Sequence, residues 1–136
     1  MIKCRLYYLA VLLLFPLMAQ AQDDVSKALD ECVEELNAKC PLVYDDEWAI
    51  NSLTSVGTSY ELVDVEIPAV LSMFFGTLTN DTDNVRQLWT RQLSHFGNDW
   101  RRYVAAVTAA NRRTILNVHT RGSGESVLLT LNPSDF

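Results

Sequence analysis

The chain has only two histidines, His95 and His119, and three cysteines, Cys4, Cys32 and Cys40. A zinc centre takes three or four Cys, His or carboxylate ligands, and no Cys/His cluster supplies them, so no metal site is expected. The five glycines form no phosphate-cradling run, and G-x-S-x-G, H-E-x-x-H and paired C-x-x-C motifs are absent. No catalytic residue and no cofactor are implied, and the chain reads as non-enzymatic. Long apolar runs are lacking too. Beyond residue 21 the longest, "IPAVLSMFFGTL", is far short of the roughly 20 residues that span a bilayer.

What is present begins with a leader. In "MIKCRLYYLAVLLLFPLMAQAQ", Lys3 and Arg5 precede an apolar stretch from Leu6 to Leu17, and Ala19-Gln20-Ala21 forms an A-x-A cleavage site. Residues 1–21 are read as a cleaved signal peptide and 22–136 as one exported domain, periplasmic or extracellular. No stable membrane insertion is expected after cleavage. Cys4 precedes the apolar stretch, which excludes a lipoprotein cysteine. The remaining pair, Cys32 and Cys40, is a candidate disulfide in an oxidising compartment, with two buried thiols as the alternative. In one unbroken helix they would stand ~12 Å apart along the axis. A bridge therefore requires the helix to end near Asn37.

The pattern predicts a helix over 23–37, with Val25, Leu29, Cys32, Val33 and Leu36 on its apolar stripe. "WAINSLTSV" and "TSYELVDVEI" read as a hairpin turning at Gly57, with Val63, Val65 and Ile67 on one face and Leu62, Asp64 and Glu66 on the other. Residues 69–78 read as a short buried helix and 83–110 as a helical region broken at "FGND". "TILNVHT" and "SVLLTL" make a second hairpin. The order helix, hairpin, helices, hairpin indicates α+β: a small antiparallel sheet of two hairpins with helices packed on one face.

Charge is split along the chain. Residues 22–83 hold fourteen acids and two lysines, whereas 84–136 hold seven arginines and three acids. Losing Lys3 and Arg5 with the leader takes the formal charge from −6 to −8. Phosphates would repel such a chain, so no nucleic acid is expected as a partner. Two arrangements account for the split: the basic helix pairs with the acidic first helix, or its arginines face a partner. Arg101, Arg102, Arg112 and Arg113 are the candidate partner-binding cations. Phe74 and Phe75 join them, because neighbours on a short helix cannot both face inward. The reading is a module that binds a protein or an envelope component. The alternatives are a self-assembling envelope protein and, third, a hydrolase or small-ligand binder built around His95 or His119.

The run "LNAKCPLVYDDEWAINSLTSVGTSYELVDVEI" resembles uncharacterised small exported bacterial α+β proteins. In these a leading helix ends in N-x-x-C-P and is followed by an acidic loop and a hairpin; Asn37, Cys40 and Pro41 match. The closing "GSGESVLLTLNPSD" resembles their final strand and tail. The likeness covers the two ends of the exported chain and leaves its middle unplaced. It implies an exported α+β domain of no known activity and carries over no catalytic residue. Such proteins place a cysteine near the C-terminus, which this chain lacks, so the resemblance lends no disulfide.

Overall fold

The computed structural model describes residues 2–45, 47–122 and 124–136, with side chains from residue 21 onward. The leader assigned to 1–21 therefore lies, but for Ala21, outside the described side chains. Among the described residues no helix is long and apolar enough to cross a membrane.

Helix α1 runs Ile2–Lys39, beyond both ends of the span expected. Its apolar stripe is buried as predicted: Leu29, Cys32, Val33 and Leu36 all belong to the core. Because the helix is unbroken past Asn37, Cys32 and Cys40 stay apart, and both are free thiols. This corrects the candidate bridge. Two local contacts finish the helix end instead. The Asn37 side chain accepts from the Leu53 backbone N–H at 3.0 Å, and the Cys40 thiol donates to the Leu36 carbonyl at 3.3 Å.

A short strand β1 (Leu42–Tyr44) then pairs with β2 (Trp48–Val56), which pairs with β3 (Tyr60–Ile67). The second hairpin is β4 (Arg113–Thr120) with β5 (Ser126–Leu131). Both expected hairpins are present and the class is α+β, but the sheet is not antiparallel throughout. Strands β3 and β4 run parallel, from Tyr60 opposite Arg113 to Ile67 opposite Thr120, giving a five-stranded mixed sheet in the order β1-β2-β3-β4-β5. The long helical connection between the hairpins is the cause. It returns the chain to the end where β3 starts, so that β4 begins beside Tyr60 and runs alongside β3 in the same direction.

Strand parity sets the layers. In β3 and β4 each second residue is buried while the others are half-exposed or, at Arg113, exposed, so helices cover one face and the other stays open. Cross-strand rows such as Leu53–Val63–Leu116–Leu129 form the covered face. Over it lie α1, α3 (Asp83–Leu93) and α4 (Asn98–Ala109), which contribute Trp89, Leu93, Trp100, Tyr103 and Val107. Thr82 caps α3 by accepting from the Val85 N–H. Gly97, at φ 84°, makes the break before α4 that "FGND" predicts.

The segment 69–78 departs from expectation. It is a 3₁₀ helix (Ala69–Phe74) running into a single turn, α2 (Phe75–Leu78), and of its residues only Phe75 is buried. A 3₁₀ turn has three residues per repeat, too few to hold a wide apolar stripe against the core. Val70, Met73 and Phe74 consequently point outward, 71%, 88% and 55% exposed.

Candidate functional site

An open, largely apolar concavity lies where the C-terminal end of α3 meets the N-terminal half of α4. Positions 90 and 91 of α3 lie beside Ser94, which opens the 3₁₀ turn after the helix, and 100, 101, 104 and 105 lie on one side of α4. The Gly97 turn brings the two together. Phe136 closes the third side: Asn132 and Asp135 cap the last 3₁₀ turn, Asp135 reaches Arg86 of α3 at 4.0 Å, and the Phe136 ring meets Trp100 edge-on at 6.2 Å. The resulting open groove encloses about 430 Å³, within the range of ligand clefts. Its apolar lining is Trp100, Val104, Ala105 and Phe136; its polar lining is Thr90, Ser94, Arg91 and Arg101. Trp100 is itself only 2% exposed, packed on Tyr103 ring to ring at 4.8 Å.

The four arginines singled out by sequence separate. Arg101 is exposed and lines the groove, with no carboxylate partner among the described residues. Arg102, one residue on, turns to α1 and donates to Glu35 at 2.9 Å. Beside it Lys39 of α1 meets Asp99 of α4 at 3.1 Å. The basic helix thus does lie along the acidic one, while Arg101 points elsewhere. Arg113 opens β4 and is exposed.

Arg112 is not a surface residue. The helix ends at Ala109, and the turn at Asn111 (φ 52°) sends its guanidinium under the β2–β3 hairpin. There it lies 3.0 Å from Glu61, which is 0% exposed, and donates to the Gly57 carbonyl at 3.0 Å. Asp30 of α1 stands 3.9 Å away. The Ser55 hydroxyl donates to the other Glu61 oxygen. Among the described residues Glu61 Oε1 and Arg112 Nε have no hydrogen-bond partner, so the contact between the two side chains is one of charge. Burial pushes the Glu61 carboxyl above its ordinary value, with Ser55 and Arg112 opposing the shift. Sequence reading missed Glu61, although its parity with Val63, Val65 and Ile67 put it on the covered face.

Phe75 is buried and Phe74 is exposed, so the neighbouring rings do divide between core and surface. His95 stacks on Tyr44 at 4.9 Å, and His119 Nε2 lies 3.0 Å from Asp64 on the open sheet face. Neither histidine lines the groove or the smaller acidic cleft of Glu31, Glu34, Glu35 and Ala38 on α1. Asp64 also accepts from Asn117 at 3.3 Å, and Glu66 faces Arg121 at 3.5 Å. Asp46, in the acidic loop after β1, lies outside the described residues. Among the described residues no group of three or more His, Cys, Asp or Glu side chains is placed to hold a metal ion. Burial raises both the Cys32 and the Cys40 thiol.

No protein-family model matches the chain, and no curated protein matches it. One solved structure does: a protein of Pseudomonas aeruginosa inferred to be secreted, 11% identical in sequence. The likeness covers 85% of this chain and 95% of that one, with a TM-score of 0.55. At that identity the match speaks for a shared fold.

Proposed function

We propose that this chain is an exported, non-enzymatic binding module that holds another protein, an envelope component among the candidates, in the groove between α3 and α4. The observation that carries the reading is the pairing of an apolar lining with two arginines, Arg91 and Arg101, that no carboxylate of the chain occupies among the described residues. Buried apolar anchors rimmed by cations are what protein contacts use. Export is supported by the leader pattern and by the fold shared with a protein inferred to be secreted. The exposed Phe74 offers a second, smaller contact. Self-assembly is the competing use, favoured by the acidic cleft on α1, which is complementary in charge to the groove.

The test is affinity capture from envelope and culture-medium extracts with the wild-type protein and with Ala105→Trp, which fills the groove. The proposal expects a distinct protein retained by the wild type and lost from the variant. Retention by both counts against the groove. Recovery of the chain alone supports self-assembly.

A further inference from the structure

We infer that the groove takes a short acidic–apolar segment of the partner: one bulky apolar side chain against Val104, Ala105 and Phe136, with carboxylates beside it on Arg91 and Arg101. The inference rests on the groove being the binding surface, as proposed above.

Three observations carry it. The first is how the arginines sort. Arg86, Arg102, Arg112 and Arg121 each have a carboxylate within 4.0 Å. Arg91, Arg101 and Arg113 have none among the described residues, and of these Arg91 and Arg101 line the groove; Arg91 makes only a 3.4 Å contact with the Gln87 carbonyl within its own helix. The chain carries a formal charge of −6, yet both arginines that line the groove are left without a carboxylate of their own. The electrostatic complement of this rim is therefore a carboxylate from outside.

The second observation is the lining. A purely acidic ligand would leave the half-buried Val104 and Phe136 and the exposed Ala105 against water, whereas an apolar group dehydrates them. The third is length. The groove uses 90–94 at the end of α3 and 100–105 of α4, which at ~1.5 Å per residue is about 7 Å of helix. That matches two residues of extended chain at ~3.3 Å each, or little more than one helical turn. A short motif fits, and a long helix would overrun it.

The experiment titrates the full protein at low salt with the probe acetyl-Gly-Glu-Glu-Phe-Leu-Glu-Glu-Gly-amide. Its Glu→Gln and Glu→Lys versions and decanoate are titrated beside it, following the Trp100 indole resonance and heats of binding. We expect saturable binding of the acidic peptide that shifts Trp100. The Gln version should bind roughly tenfold more weakly, and Arg91→Glu with Arg101→Glu should reverse preference to the Lys version. Equal binding of the Glu and Gln peptides, or no binding of the acidic peptide, overturns the inference. Arginine-dependent binding of decanoate alone overturns it too, in favour of a free amphipathic anion. In the capture assay, loss of partner with Ala105→Trp but not with the double arginine variant sinks this inference and leaves the groove reading standing. Indifference to both variants sinks the groove reading itself.

Discussion

Glu61 and Arg112 form an ion pair beneath the β2–β3 hairpin, 3.0 Å apart, with the carboxylate wholly buried and the guanidinium nearly so. The pair joins β3 to the end of α4, and through Asp30 it reaches α1. Removing one partner leaves the other charged in the interior, which costs about 3–5 kcal/mol. Arg112→Ala should lower unfolding free energy by that amount in urea denaturation. Replacing both residues, as Glu61→Leu with Arg112→Met, should recover most of the loss. A double variant as unstable as the single one would show that the pair does more than neutralise itself.

The same carboxylate makes a pH prediction. Burial holds folded Glu61 above its ordinary value of 4.5, so the folded chain binds this proton more readily than the unfolded one. Its ionisation therefore works against the fold above the raised value, and this cost fades as pH falls towards 4.5. Comparing wild type with Glu61→Gln across that window isolates the contribution from the other carboxylates. Relative to the variant, the wild type should lose stability as pH rises. Parallel profiles would contradict the assignment.

Tyr103 sets an alkaline limit. Its hydroxyl is buried against Thr114 at 2.7 Å, and burial raises it well above the ordinary value of 10. Unfolded, Tyr103 ionises near 10, while the folded residue stays neutral. Stability should therefore fall as pH rises past 10. Tyr103→Phe should flatten that fall, although it strands the Thr114 hydroxyl at about 1–3 kcal/mol. Equilibrium denaturation from pH 8 to 11 compares the two slopes.

The phenylalanine pair should behave oppositely. Phe75→Ala empties a core position and should cost about 3–5 kcal/mol. Phe74→Ala removes a half-exposed ring and should stay within ~0.5 kcal/mol. Similar thermal shifts for the two would contradict their division between core and surface.

The thiols should be reduced and slow. Cys32 is buried, Cys40 partly so, and burial raises both. Intact-mass measurement of the protein recovered after export should show two alkylatable thiols on unfolding. It should also show sluggish labelling of the native protein at pH 8. A mass two units lower with no labelling would mean a bridge.

Local periodicity made much of this fold readable. The Val63–Val65–Ile67 alternation, the Leu29–Val33–Leu36 stripe and the Gly97 break each depend on neighbours in sequence, and each is found where the pattern puts it. What was not readable depends on distant pairing. Nothing local says that β4 lies parallel to β3, because that follows from the whole connection between them. Arg112 looked like the end of a basic helix, yet its burial is decided by Glu61, fifty-one residues earlier. The groove escaped for the same reason. Arg101 was visible as a candidate, but Arg91 and Phe136 join it only once α3, α4 and the last turn have packed.

The central claim is that this domain holds a protein in the α3–α4 groove. The most direct measurement is cross-saturation NMR on the captured complex, read at the Trp100 indole and the Val104 methyls. The account predicts transfer at both, and its loss in Ala105→Trp. Transfer confined to the open sheet face, around Leu128 and His119, would contradict it.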